Sequence, residues 1–463
     1  MKILYIIPNF DSYVLAPPLG VLYLASYAKK YCNADVKVVD ALRDNLSDEQ
    51  LLKIVENENP DLIGIHCLTA FYNQTISISK KIKALTNKNY IVHIGGVHPT
   101  FMPYTTLKDS KADFVICGEG EIPIRTILDN NLNYRGIQGV YTLEDLKDDD
   151  TLVDGSPVLK AETVMDLDTI PFPDWEQLPP ASYPHSPHAV IARGNPIGII
   201  MTSRGCPSRC TFCSSNNFYK GIRQRSVEDV IEEVKYQIKY LGIQELQFTD
   251  DNLTLKKDYI VSLCNALLEN NIKIDWSTPN GVRADKVDLE VLKLMKKSGC
   301  YLIDFGIESA NNQILKNIRK GETIEQIDEA IRLSSEVGMI TQGNFIFGLP
   351  GETKETIKET IDYAVKCKLD RAGFFALRLL PGSDLSKQMK SKYDLKYEHS
   401  FISKPDWLPE NLTEDYILRS IQKAYWSFYF RPRRLFNLLN DIPVSQTKYI
   451  LRCMKNYHLF KLW

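Results

Sequence analysis

Two series of short β-type runs, each alternating with amphipathic stretches and separated by a proline-rich interval, constrain this chain most. In the first series Ile3–Ile7, Val36–Asp40, Leu62–Cys67, Ile91–Ile94 and Phe114–Cys117 read as strands. Leu19–Tyr31 reads as a helix, and Ser47-Asp-Glu-Gln50 as a capping box that opens another. Strands that alternate with helices predict a parallel sheet covered on both faces. Residues 1–140 are therefore expected to form a Rossmann-like domain, with ligands bound outside the carboxyl ends of its strands.

Residues 141–191 change character. Acidic residues cluster at Asp148–Asp150, and Pro157, Pro171, Pro173, Pro179, Pro180, Pro184 and Pro187 follow. This interval reads as a linker with local rigidity, anchored to a neighbouring surface by Trp175. A second α/β series occupies 192–411. Its expected strands are Ile197–Thr202, Glu245–Phe248, Ile274–Thr278, Leu302–Gly306, Thr341–Phe347 and Gly373–Arg378. Capping-box patterns at Ser226-Val-Glu-Asp229 and Thr323-Ile-Glu-Gln326 open helices, and Lys256–Asn270 and Thr353–Lys366 carry helical periodicity. Residues 412–463 read as a helical extension rich in aromatic and basic residues, including Tyr425, Trp426, Phe428, Tyr429, Phe430 and Arg431-Pro-Arg-Arg434. An aromatic stripe at helical spacing is expected to pack as a cap on the second domain rather than to serve as a docking surface.

Composition excludes several classes. A formal net charge of −2 over 463 residues gives no electrostatic case for nucleic acid or an anionic membrane surface. No segment approaches the ~20 apolar residues of a transmembrane helix. The start runs directly into a strand without a signal-peptide cleavage site. Ten cysteines are too sparse for a disulfide scaffold, so a reducing, cytoplasmic location is expected.

Three of those cysteines, Cys206, Cys210 and Cys213, fall within one short run, Arg204-Gly-Cys-Pro-Ser-Arg-Cys-Thr-Phe-Cys-Ser214. One loop can bring all three thiols to one metal centre, and thiolate suits an iron–sulfur cluster. Such clusters usually take four cysteines, so a [4Fe–4S] cluster held here keeps one iron open. A zinc site and ordinary buried thiols are the competing readings of the triad. The remaining cysteines are scattered among apolar residues and read as small buried hydrophobes.

The spacing, with Phe212 before the last cysteine, resembles the radical S-adenosylmethionine (radical SAM) enzymes. The resemblance implies that the open iron binds the amino and carboxylate groups of S-adenosylmethionine (SAM), and that the six βα units form a partial (βα)6 TIM-type barrel. Chemistry-bearing residues recur at the carboxyl ends of the expected strands, where barrel-like folds place catalytic groups. Asp250 and Asp251 are candidates to accept from the SAM ammonium, and Glu308 from the ribose hydroxyls or the ammonium. Ser309 and Arg283 are candidates for the carboxylate end. Gly348 gives room for a flat ring or a sharp turn, and Phe212 is placed to pack on the adenine. For each polar residue the competing reading is a helix cap or turn former.

Pro17-Pro-Leu-Gly20, Gly95-Gly96 and Gly118-Glu-Gly-Glu121 resemble the cobalamin-binding domain fused upstream of many radical SAM enzymes. The resemblance implies corrin contacts at Pro18, Leu19, Gly20, Thr69, Gly95, Gly96, Gly118 and Glu119. The Asp-x-His-x-x-Gly pattern of histidine ligation is missing. His66, His93 and His98 are therefore expected to be packed residues, not cobalt ligands. A Rossmann-like module that has lost cobalamin is the alternative.

The expected function is a cobalamin-dependent radical SAM enzyme, a methyltransferase acting on an unactivated carbon or phosphorus. It would take a small-molecule or natural-product substrate and electrons from a reductant such as flavodoxin or ferredoxin. The alternatives are a radical cyclase, rearrangement enzyme or epimerase, and a non-catalytic iron–sulfur electron-transfer or redox-sensing protein.

Overall fold

The computed structural model describes residues 1–12, 14–86, 88–185, 191–219, 221–390, 405–431 and 434. Two compact units divide the chain, one built on Met1–Ser182 and one mainly on Tyr183–Asn216 and residues from Gly221 onward.

In chain order the first unit runs β1 (Lys2–Ile7), α1 (Leu19–Cys32), β2 (Asp35–Asp40), α2 (Asp48–Glu58), β3 (Leu62–His66), α3 (Tyr72–Lys83), β4 (Ile91–Gly95), α4 (Val97–Phe101), α5 (Pro103–Ser110), β5 (Phe114–Ile116), α6 (Glu121–Asp129) and β6 (Val140–Tyr141). The sheet order is β2-β1-β3-β4-β5-β6. The first five strands pair in parallel, and β6 closes the edge antiparallel to β5. Order reverses between β1 and β3, the switch point at which open α/β sheets bind ligands. β-Branched Ile and Val fill these strands and lie buried, with Ile6, Ile63, Val92 and Val115 fully enclosed. Ser47 and Gln50 cap α2 reciprocally.

Two features of this unit depart from the sequence reading. The two-residue β6 is too short to leave a periodic signature. The interval after it is also no free linker up to Ser182. Trp175 and Leu178 are buried, Gln177 accepts the Val38 N–H at 2.6 Å, and Asp174 pairs with Lys29 at 2.6 Å. Asp149 accepts from the Thr105 N–H and hydroxyl, each at 2.8 Å. Prolines here stiffen a segment that packs on its own unit. Residues 186–190, with Pro187, lie outside the described residues.

The second unit continues with β7 (Ile197–Ile200), β8 (Ser203–Arg204), α7 (Ser215–Phe218), β9 (Arg223–Gln224), α8 (Val227–Leu241), β10 (Glu245–Phe248), α9 (Lys257–Glu269), β11 (Asp275–Val282), α10 (Leu289–Lys297), β12 (Cys300–Glu308), α11 (Asn312–Asn317), α12 (Ile324–Glu336), β13 (Ile340–Phe347), α13 (Lys354–Lys366), β14 (Arg371–Ala376), α14 (Asp384–Lys390) and α15 (Glu414–Tyr429). Its main sheet has the order β14-β13-β12-β11-β10-β7, entirely parallel and sequential. Six βα units wound in one direction make a partial barrel, as the resemblance implies. Thr323 and Gln326 form a capping box on α12. On α8 Ser226 accepts the Asp229 N–H, while the Asp229 carboxylate turns to Arg225. The aromatic stripe of α15 packs as a cap: Phe428 is fully buried, the Tyr425 hydroxyl accepts the Phe374 N–H at 3.1 Å, and the Tyr429 hydroxyl bonds the Ala372 N–H and carbonyl. Pro432 and Arg433 of the basic run lie outside the described residues.

Candidate functional site

The three thiols stand on the loop that leaves β7 and the β8 edge. This loop is pinned by its backbone: Thr211 donates to the Ile318 carbonyl at 2.9 Å and accepts from the Leu385 N–H at 2.8 Å. Cys206, Cys210 and Cys213 are partly exposed, whereas Cys67, Cys117, Cys264, Cys300 and Cys367 are buried. Cys453 lies outside the described residues. The Ser215 N–H points to the Cys213 sulfur at 3.5 Å. Burial raises the Cys210 thiol, and raises Cys213 to about 11. Metal ligation would reverse this, because the ligand is the thiolate. Among the described residues no three His, Cys, Asp or Glu side chains are already gathered as a metal site. The donor chemistry nevertheless fits a cluster: three soft ligands share one braced, solvent-reachable loop.

The acidic residues divide by what they touch. Asp250 is 2% exposed and accepts the Thr202 N–H, the Thr202 hydroxyl and the Ser203 hydroxyl. It clamps the end of β7 to β10 through the protein's own donors. Asp251, beside it, is exposed and accepts the Ser215 hydroxyl at 2.5 Å. The Ser309 hydroxyl accepts the Asn311 N–H and meets Thr360. The Gly348 N–H donates to buried Glu352 at 2.6 Å, as does the Leu349 N–H at 3.0 Å. Burial lifts that carboxyl to about 8. Phe212 packs against the main core of the unit.

Glu308 sits at the end of β12 with φ +66°, where the register with β13 shifts. This left-handed backbone is unusual for a glutamate and stores strain where the chain leaves the sheet. Its carboxylate pairs with buried Lys320 at 3.0 Å. Arg283 is engaged throughout, with Asp285, Ser208 and the carbonyls of Lys320 and Gly321. It links the cysteine loop to the 319–322 turn.

Two residues escaped the sequence reading. Lys320 lies in an ordinary basic run, and only its position after Glu308 and before the turn at Gly321 hints at burial. Asp304, buried within β12, accepts from Gln342 and Asn344 on β13. Burial raises it to about 7. A polar residue in the middle of a strand was the available signal.

In the first unit Pro18 caps α1 through its carbonyl, with Leu19 and Gly20 opening the helix. A β-carbon at Gly20 or at Gly95 would meet nothing within 4 Å. The first turn of α1 and the end of β4 therefore border open space, a cradle that a side chain would fill. Gly96 differs: with φ +118° its β-carbon would lie 2.5 Å from the Cys67 carbonyl oxygen. Gly118 (φ +102°) packs near Lys160, and Glu119 is buried. The Thr69 hydroxyl meets His98 Nδ1 at 3.1 Å. His66, His93 and His98 are depressed by burial to about 4, 3 and 3.

Comparison with known proteins agrees with both halves. A family model of the B12 binding domain matches residues 10–128, and one of the Radical SAM superfamily matches 200–364. An uncharacterized methyltransferase of Pyrococcus horikoshii is 33% identical over 446 residues, covering 94% of each chain. This chain belongs to the cobalamin-binding radical SAM family. The cytidylyl-2-hydroxyethylphosphonate methyltransferase of Streptomyces wedmorensis is 30% identical, over 86% of this chain and 84% of that one. The cobalamin-dependent SAM radical enzyme OxsB, solved with aqua-cobalamin and SAM, superposes with a TM-score of 0.74 over 99% of this chain and 71% of its own. At 19% identity that likeness speaks for the fold. As a family member this radical SAM enzyme uses a [4Fe–4S] cluster, SAM and cobalamin. No described helix is long and apolar enough to cross a membrane.

Proposed function

We propose that this enzyme transfers a methyl group to an unactivated carbon or phosphorus of a small molecule, in the cytoplasm, with a low-potential donor such as flavodoxin or ferredoxin supplying electrons. One observation carries the reading: a three-thiol loop at a strand end of a (βα)6 sheet and an open, glycine-lined end of a Rossmann-like sheet occur in one chain. The relatives named as methyltransferases support it across both halves.

In this reading Cys206, Cys210 and Cys213 hold the cluster, and the chain around Gly20 and Gly95 accommodates the corrin. When bound, the cluster would supply the electron for reductive cleavage of SAM, and cobalamin would supply methyl-carrier chemistry. The protein's own part is to place and shield these groups. Asp250 fixes the strand end from which the cysteine loop leaves, and Arg283 ties that loop to the turn carrying Lys320. Glu308, at the mouth of the same sheet, offers a carboxylate whose position is set by Lys320.

The test is product stoichiometry. Anaerobically reconstituted protein, reduced and given methyl-labelled SAM with the small-molecule fraction of its own cells, should place label in a new product. It should release 5′-deoxyadenosine and S-adenosylhomocysteine in matching amounts. Deoxyadenosine alone, with no labelled product, would overturn methyl transfer and favour cyclisation or rearrangement.

A further inference from the structure

The strongest unassigned feature of the second unit is a buried chain of charges beside the cysteine loop. Lys320 Nζ lies 3.0 Å from Glu308 Oε1 and 3.5 Å from Glu322 Oε2, and the side chains of Lys320 and Glu322 are 8% and 0% exposed. Glu322 Oε2 is also 3.7 Å from Arg283 Nη1, while Glu322 Oε1 accepts the Ala284 and Asp285 N–H groups. The same Arg283 Nη1 donates to the Lys320 carbonyl at 2.6 Å and lies 3.3 Å from the Ser208 hydroxyl, two residues from Cys206 and Cys210. Room for the pair is built into β12: a β-carbon on Gly306 would stand 2.8 Å from Glu308 Oε1 and 3.0 Å from Lys320 Nζ. Burying an ammonium is expensive, and this fold arranges two carboxylates and a bare glycine to keep it there.

We propose that Lys320 is a positioning residue that holds a positive charge against the cysteine loop, and that with Glu322 as its counterweight it sets the reduction potential of the cluster bound there. The inference rests on the reading of Cys206, Cys210 and Cys213 as cluster ligands. Its electrostatics are direct. Reduction adds a negative charge to the cluster, a nearby cation favours the reduced form, and a nearby anion disfavours it. Because the network is buried, solvent and salt screen it weakly. Arg283 braces both partners, so the distance from charge to loop is fixed by the fold and not by a flexible side chain.

The experiment is a redox titration of the reconstituted, SAM-free cluster, followed by electron paramagnetic resonance, with iron content measured on each protein. Lys320→Met should shift the reduction equilibrium at least tenfold toward the oxidised form, a fall of about 59 mV for a one-electron couple. Lys320→Arg should restore most of it. Glu322→Gln, which keeps an acceptor for the Ala284 and Asp285 N–H groups, should shift the potential upward. Opposite signs for the two neutralising variants are what a merely structural role would not produce. Potentials within a threefold change of the equilibrium, or shifts of the same sign, in proteins that still hold about four irons would overturn the inference. If Lys320→Met retains no cluster, Glu322→Gln decides alone: an upward shift supports the proposal, and an unchanged or lower potential refutes it. A wild-type protein that cannot be loaded with iron would instead refute the ligand assignment beneath it.

Discussion

Asp250 accepts the Thr202 hydroxyl at 2.7 Å and the Thr202 N–H at 3.1 Å, joining the end of β10 to the chain that leaves β7 for the cysteines. The carboxylate is buried and its oxygens serve the protein's own donors. Asp250→Ala should therefore leave buried donors unpaired, at about 1–3 kcal/mol for each such group. Chemical denaturation should show that loss before any cofactor is added, and iron loading should fall with it. Asp250→Asn, which keeps one acceptor, should fall between the two. Unchanged stability with impaired SAM binding would give Asp250 the role of a direct SAM contact instead.

Gly95 and Gly96 are neighbours with different duties. A valine at Gly95 would project into open space, whereas at Gly96 it would meet the Cys67 carbonyl and a backbone of φ +118°. Gly95→Val should fold normally and lose hydroxocobalamin binding, followed by visible absorbance. Gly96→Val should lose about 1–3 kcal/mol of stability from backbone strain alone, with further loss from the clash. Normal cobalamin binding by Gly95→Val would remove that position from the cradle.

Much of the architecture was legible because alternation of β-branched runs with amphipathic helices is a local signal. The boundaries of β10, α9 and α13 fall within a residue or so of their patterns. What stayed hidden depends on long-range partners. Asp250 looks the same in sequence whether its oxygens face a ligand or Thr202, 48 residues away. Trp175 is buried as its anchoring role in the sequence implies, but Gln177 stands among prolines that suggest a linker, and only the Val38 N–H reveals it as packed. Lys320 was passed over because a basic turn is ordinarily solvated, and its burial depends on Glu308, Glu322 and the missing side chain of Gly306.

The first unit should be sensitive to acid. His66, His93 and His98 are held neutral by burial down to about pH 4, 3 and 3, while the unfolded chain protonates near 6.5. Below pH 6.5 the unfolded state therefore binds more protons, so stability is complete above that pH and falls as pH drops. Each histidine contributes a slope approaching about 1.4 kcal/mol per pH unit. Urea midpoints at pH 7.5, 6 and 5 should fall accordingly. His93→Phe, which keeps the ring stack on Phe114, should flatten the dependence by about one proton. A flat profile for the wild type would show that these rings take up protons without unfolding.

The thiols should separate by position. Cys206, Cys210 and Cys213 share one partly exposed loop, whereas Cys264 and Cys300 are enclosed in the main core of the second unit. Replacing any of the first three by Ala removes a ligand from a set that has none to spare. Iron content after anaerobic reconstitution should collapse, and SAM cleavage with it. Cys264→Ala removes only a buried sulfur. It should cost about 1 kcal/mol of stability, the usual size for a single substitution, and leave iron content unchanged. The contrast in iron content, read alongside a denaturation curve for each variant, separates ligation from packing. A triple variant at Cys206, Cys210 and Cys213 that still held a SAM-cleaving cluster would move the ligand set elsewhere in the chain, and loss of iron from Cys264→Ala would point to where.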